Sequence, residues 1–391
     1  MSRKKKHIAI NFEMQDRAQY AAMLYLKNFI KGIFLLPEDI RPEITIVYGG
    51  LITENDLADL KGKGFHFFHA RDVYRNPVKR FINKISRTVI RKNLLPFVDR
   101  HFPAKHIDII YPCPSRPEVE NIPGKIFWKP DFQEKYFPEY FSEETRMNFD
   151  HNFRKITDNK NHLLVLSSED SLNDLRKFFP DHQCSTFVLP FVVFDENYSN
   201  PLGNEMRNQV WEKFNIKSDF ILVPNQFWPH KNHALVIEAM HRLNLKGECP
   251  FIVFTGHTSS ERNKKIFSEL SDKIKEYKLE SKCCFTGFLS KEEQIVLYKS
   301  SSFVLQPSLF EGWNTSVEEC KAMNKFILCS DIPLHIEQIQ TNCAFFKSKD
   351  ADDLASQLRK YFEQTPEIIA EDYRLNQQRF SERIAQLFQL P

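Results

Sequence analysis

Glycine is the scarce residue in this chain, 11 in 391, beside 36 phenylalanines. Folds that hold phosphate against bare backbone spend glycine on their loops, so an anion site here must rely on side chains and helix ends. Apolar runs are short, and none reaches the roughly 20 residues that span a bilayer as a helix. Excess charge is lacking too. The 54 basic and 51 acidic residues leave a net of +3, which makes no case for nucleic acid as a partner. No two of the eight cysteines (113, 184, 249, 283, 284, 320, 329 and 343) form a CxxC pair. Several fall in expected strands or helices, so they read as reduced core thiols of a cytoplasmic protein. The basic start MSRKKKH runs straight into a strand-like IAINF, unlike a leader peptide with its cleavage site.

What the chain does have is alternation. Short apolar runs at His7–Phe12, Ile44–Tyr48, Phe65–Phe68, Ile107–Tyr111, Lys125–Trp128, Leu163–Ser167 and Thr186–Pro190 read as strands buried on both faces. Helical runs lie between them, notably Arg17–Leu36 and Asn76–Asn93. A polar stretch at Phe194–Asn204 reads as a linker. A second series follows at Phe220–Val223, Phe251–Phe254, Cys284–Thr286, Phe303–Leu305, Phe326–Cys329 and Ala344–Phe346, and Pro366–Leu390 closes the chain as helix. The pattern predicts parallel α/β sheets in two domains, 1–195 and 196–372.

The stretch LFEGWNTSVEECKAM, Leu309 to Met323, follows one of these strands. Glu311 lies in its turn and Glu319 about one turn into a helix that starts near Thr315. Both can face the carboxyl end of the strand, where open parallel sheets bind ligands. The helix N-terminus offers N–H groups and a positive dipole end to an anion. Glu319 has another use open to it, a capping box with Ser316. In PNQFWPHKNH, Lys231 stands on a loop after a strand and could meet a diphosphate, or simply be a solvated surface lysine. His230 and His233 have no carboxylate or cysteine at zinc-ligand spacing. Gly256 and Gly287 end strands and allow close backbone approach. Asp131 begins a polar loop that reaches Ser142, fit for a structural or an acceptor-side role. Ser290 and Glu293 form a capping-box pattern. Asp350-Ala351-Asp352 has the spelling of a metal-binding DxD, but its setting at a helix start favours an N-cap.

From Arg71 to Lys92 basic residues recur, with Val78, Phe81, Ile82, Ile85 and Val89 at helical spacing among them. The plain expectation is a surface helix whose apolar side packs on the sheet. The alternative is attraction to anionic lipid at the inner face of a membrane.

Set side by side, these segments resemble the family 4 retaining glycosyltransferases of the GT-B fold. That fold is α/β, with two Rossmann-like domains whose parallel sheets face across a cleft. The resemblance implies a C-terminal helix, 373–391, that returns to the first domain. EGWNTSVEECKAM is similar to the family's Glu-x7-Glu segment, which puts Glu311 on the donor sugar and Glu319 on the nucleotide ribose. Lys231 falls on the lysine that binds the donor diphosphate. Gln226 stands where an arginine usually joins that lysine, and Asn314 stands where the motif has glycine. Gly287, Phe288 and Leu289 match the nucleotide-base loop. Without the family's N-terminal Gly-Gly loop, donor phosphate would rest on Lys231 and on the amides of Thr315, Ser316 and Val317. In the first domain Asp131 and Gln133 match an acceptor-side loop whose usual histidine is Pro130 here.

The resemblance implies transfer of a sugar from a nucleotide-diphospho-sugar to the hydroxyl of a glycan or lipid-linked acceptor. It implies retained anomeric configuration, no metal or other cofactor, and a place in polysaccharide or glycan biosynthesis. The departures keep open a non-catalytic module that binds a nucleotide sugar or a partner enzyme. A phosphorylase or epimerase on the same fold is a third reading.

Overall fold

The computed structural model describes residues 5–14, 20–70, 77–90, 107–114, 122–258, 264–364 and 366–389. The chain divides into two compact units. One comprises Met1–Phe191 with Asn376–Pro391, the other Val192–Leu375.

The first unit carries β1 (His7–Met14), β2 (Glu43–Gly50), β3 (His66–His69), β4 (Ile109–Tyr111), β5 (Gly124–Lys129), β6 (Leu163–Leu166) and β7 (Ser185–Val188). They form one sheet in the order β3-β2-β1-β4-β5-β6-β7, every pairing parallel. The second unit carries β8 (Phe220–Val223), β9 (Phe251–Phe254), β10 (Cys283–Phe285), β11 (Phe303–Gln306), β12 (Ile327–Ser330) and β13 (Cys343–Phe346). These order as β10-β9-β8-β11-β12-β13, again all parallel. Central strands such as β8 and β11 are buried at every residue, which is why they read as continuous apolar runs without alternation. In each sheet the winding reverses once, between β1 and β4 and between β8 and β11. Loops diverge at such a reversal and leave a crevice at the strand ends.

Three expectations about helices need adjustment. The first helix spans Tyr20–Phe34, and residues 17–19 of its expected start lie outside the described residues. The tail is not one helix from Pro366. Its helix runs Arg374–Leu387, and residues 366–373 before it are neither helix nor strand. Two asparagine side chains hold that strap by imitating a peptide edge. Asn342 accepts from Ile369 N–H and donates to Ile369 O, both at 2.8 Å. Asn324 does the same for Glu371 at 2.8 and 3.0 Å. The helix beyond it packs within the first unit, where Phe380 and Phe388 meet Phe29 edge-on.

The third adjustment is the helix Pro77–Ile90. Four of the apolar side chains expected to face the sheet are exposed instead, Val78 by 65%, Phe81 by 65%, Ile85 by 51% and Val89 by 73%. Ser86 is buried and marks the flank turned to the protein. The rest of the Arg71–Lys92 stretch, at 71–76 and 91–92, lies outside the described residues.

All eight cysteines are free. Burial raises every thiol, to about 12 for Cys113 and Cys283 and to about 11 for Cys249 and Cys343. Among the described residues no helix is long and apolar enough to cross a membrane.

Candidate active site

The reversal between β8 and β11 brings Lys231 and Glu311 together. Lys231 closes a short 3-10 turn, Pro229–Lys231, in the loop after β8. Glu311 lies in the loop after β11. Their loops are tied by Leu309 N–H donating to His230 O at 2.7 Å. Asn232, in the left-handed region, donates its amide to Pro307 O at 3.1 Å and Ser348 O at 3.0 Å. The Lys231 ammonium then donates to Glu311 Oε1 at 2.6 Å, with both side chains largely buried. Burial, the largest single influence, would raise the Glu311 carboxyl, but the Lys231 charge together with His230 and the hydrogen bonds from Lys231 and Ser308 holds the group below the usual range. His230 and His335 flank the pair. Burial lowers each to about 4, so both are neutral at pH 7.

Asn314 begins the helix Thr315–Ala322 as its N-cap. Its Oδ1 accepts from Ser316 N–H at 2.9 Å and Val317 N–H at 3.3 Å. Two of the three amides expected to meet donor phosphate are therefore satisfied internally, because an asparagine side chain reaches where glycine has none. The cap is itself locked. Gln338 accepts from Asn314 N–H at 3.1 Å and donates to its carbonyl at 2.8 Å. Neutral His335 uses Nδ1–H on Ser330 O at 3.0 Å, leaving Nε2 to accept from the Asn314 amide at 3.3 Å.

Glu319 has different company. It makes no capping box with Ser316, since Asn314 is the cap. Its Oε1 accepts from Tyr198 Oη at 3.0 Å and Lys291 Nζ at 2.5 Å, and its Oε2 from Gln294 at 3.1 Å. Lys291 also donates to Tyr198 Oη at 2.7 Å. Burial and then the Glu319 charge push the Tyr198 hydroxyl well up, so it serves only as a neutral donor. Sequence reasoning missed Tyr198, Lys291 and Gln294. Only the Ser290–Glu293 capping box, present as expected, hinted that Lys291 would be placed rigidly.

Gln226 Oε1 accepts from His257 N–H at 2.9 Å, joining the loops after β8 and β9. Gly256 N–H donates to Gly287 O at 2.9 Å. A Cβ at Gly256 would stand 2.6 Å from Asn225 O, so that position has no room for a side chain, and Gly287 has a positive φ of 72°, which favours glycine. Phe288 is exposed and stacks on His257 with ring centroids 4.9 Å apart. Leu289 is half-buried against the second unit's core.

In the first unit Asp131 accepts from Gln133 N–H at 3.0 Å. Nearby, Tyr136 donates to Asp174 at 2.5 Å. Burial lifts Asp174 to about 6. Asp350 caps the helix Ala351–Glu363 by accepting from Asp352 and Asp353 N–H, each at 3.0 Å. Among the described residues no three His, Cys, Asp or Glu side chains cluster as metal ligands.

Residues 207–383 match the family model for glycosyl transferases group 1. The O-antigen chain mannosyltransferase RfbU of Salmonella typhimurium is 25% identical over 155 residues, 39% of this chain and 41% of that protein. The mannosylfructose-phosphate synthase of Agrobacterium fabrum is 21% identical over 131 residues, 33% of this chain and 29% of that protein. The matched stretches thus span well under half of these relatives. Solved structures match at full length. Anabaena HepE in complex with UDP-glucose has a TM-score of 0.68 at 14% identity, covering 97% of this chain and 99% of that one. A glycosyltransferase from Rickettsia africae has 0.65 at 16%, covering 99% and 98%. WaaG, a glycosyltransferase involved in lipopolysaccharide biosynthesis, has 0.58 at 13%, covering 97% and 94%. The chain has the two-unit GT-B fold of these structures, and its residues 207–383, which hold Lys231 and Glu311, match the glycosyl transferases group 1.

Proposed function

We propose that the protein transfers a sugar from a nucleotide-diphospho-sugar to the hydroxyl of a glycan or lipid-linked acceptor on the cytoplasmic side, retaining the anomeric configuration and using no metal. The observation that carries this reading is the buried Lys231–Glu311 pair at the β8/β11 reversal. As the donor's diphosphate departs, charge grows on its oxygens. An ammonium already fixed in a poorly solvated site stabilises that charge without reorganising. Lys231 has three N–H donors and spends one on Glu311, so two remain for phosphate. Glu311, ionised at neutral pH, accepts from sugar hydroxyls and orients the anomeric carbon. With Ser316 and Val317 N–H held by Asn314, the helix contributes mainly its dipole and Thr315. Glu319 would meet the ribose through the one acceptor position that its three donors leave. The departing phosphate can take the acceptor's proton, which makes Pro130 tolerable at the family's histidine position. Asp131 and Gln133 are assigned to the acceptor side.

A thermal-shift screen of nucleotides and nucleotide sugars tests the donor assignment. A ligand at 100 times its dissociation constant stabilises by about 2.7 kcal/mol. The reading fails if no nucleotide sugar shifts the transition. A donor that binds but is neither transferred nor hydrolysed would favour the non-catalytic module.

A further inference from the structure

Glu318 has no role in the donor site as described, although it adjoins Glu319 in the chain. It is 1% exposed, so no ligand reaches it. It still collects three donors. Tyr373 Oη donates to its Oε2 at 2.5 Å, and Lys321 Nζ and Gln338 Nε2 donate to its Oε1 at 2.8 and 3.1 Å. Tyr373 is itself fixed, accepting from Val193 N–H at 3.1 Å. A buried ion pair adds little net stability over apolar side chains of the same volume. The use of Glu318 therefore lies in what it orients.

What it orients is Gln338. A carboxylate only accepts, so it draws the Gln338 NH2 toward itself and toward the Asn314 carbonyl, and leaves the amide oxygen for Asn314 N–H. His335 stands three residues earlier on the same helix, Pro333–Gln338, and so shares a face with Gln338. Burial keeps His335 neutral, and its Nε2 accepts from the Asn314 side-chain amide. Main chain and side chain of Asn314 are thus gripped from one face, with Glu318 behind the grip. The residue so held is the one whose Oδ1 occupies the Ser316 and Val317 amides. An N-cap forms on local geometry alone. A clamp of three further buried side chains matters where something competes with the cap, and an anion at the helix N-terminus is such a competitor.

We propose that Glu318, Gln338 and His335 are positioning residues that hold Asn314 as a built-in occupant of the helix end, so that the donor's diphosphate must displace it. The clamp thereby lowers donor affinity. This rests on the reading of that helix end as the donor's phosphate site. The expected sign is distinctive. Removing buried hydrogen bonds ordinarily loosens a binding site, whereas here it should tighten one.

Two variants of the full chain test it. Glu318→Gln keeps the shape but turns an NH2 group on the converging donors, and Gln338→Met removes the amide that grips Asn314. Calorimetry measures binding of UDP-glucose and of inorganic pyrophosphate, which carries neither base nor sugar. Releasing the two amides should tighten each ligand roughly 3- to 10-fold. The gain should vanish when either substitution is added to Asn314→Gly, where no cap is left to release. Exchange of the Ser316 and Val317 amide hydrogens in the ligand-free chain should quicken in both variants. Thermal melts verify folding, and if Gln338→Met does not fold, the near-isosteric Glu318→Gln carries the test. Binding that weakens or stays the same, a gain that persists with Asn314→Gly, or unchanged amide exchange would each overturn the proposal. If neither ligand binds any form, the donor reading fails, and the exchange rates alone decide whether the clamp holds Asn314.

Discussion

Glu311 and Glu319 stand eight residues apart in one loop and helix, yet their surroundings differ. Glu311 meets a single cation, Lys231, contributed by the neighbouring strand's loop. Glu319 meets three donors from two places, Tyr198 in the stretch that opens the second unit and Lys291 and Gln294 on the helix Lys291–Ser300. The first arrangement is economical and leaves the ammonium free to serve an incoming anion. The second is nearly saturated and fixes a carboxylate in place. Electrostatic demand during the reaction should therefore fall on the Glu311 side, and positioning on the Glu319 side.

The strongest way to break this comparison is Lys231→Ala. Loss of one preorganised donor to the leaving group should cost about 3–4 kcal/mol of transition-state stabilisation, seen as a fall in kcat of several hundred-fold. Leaving Glu311 buried without its cation should also destabilise the fold, by about 3 kcal/mol. Adding Glu311→Gln should restore much of the melting temperature and none of the rate. A variant that transferred sugar at the parent rate would remove Lys231 from the chemistry.

Acid should weaken the fold next most strongly, and the sign follows from the histidines. Burial lowers His230 and His335 to about 4 and His233 to about 3. Their unfolded value is near 6.5, so the unfolded chain binds more protons between these limits. The stability they contribute is complete above pH 6.5 and is lost as pH falls toward 4, about 2 kcal/mol for each by pH 5. Urea denaturation at pH 7 and pH 5 measures it, and His335→Gln should remove about a third of the slope. The lowered Glu311 carboxyl acts in a more acid window, below its unfolded value of about 4.5.

Lys291→Ala sharpens the other side. Glu319 keeps Tyr198 and Gln294, so the expected loss is about 1 kcal/mol, read as a weaker nucleotide Kd with kcat little changed. A fall in kcat as deep as that of Lys231→Ala would abolish the distinction between the two glutamates. Smallest of all is Asn314→Gly. Exchanging the cap should cost only a few tenths of a kcal/mol in stability. It releases Ser316 and Val317 N–H, and donor affinity measured by calorimetry should rise.

The strand plan was legible because strands buried on both faces leave unbroken apolar runs. Phe220–Val223 and Phe251–Phe254 end where the composition changes, and the others shift by only a residue or two. That Lys231 and Glu311 each follow a strand end was legible; that they pair was not, since a lysine on such a loop reads equally well as solvated. What surrounds Glu319 was not, since Tyr198 comes from 121 residues away and no local pattern announces it. Asn314 stands where the resembling motif has glycine, and only the structure shows that its side chain takes the Ser316 and Val317 amides. The outward stripe on Pro77–Ile90 was hidden because helical periodicity fixes which residues share a face and leaves open which way the face points.

The eight thiols described above have a practical consequence. Burial raises each of them, and Cys249 and Cys343, near 11, are ionised at pH 7 in only about one molecule in ten thousand. The native thiols should therefore react slowly with alkylating reagents. A single cysteine introduced at an exposed position would react far faster than the native eight, so one fluorescent or spin label could report from one chosen point without first stripping the natural cysteines from the core.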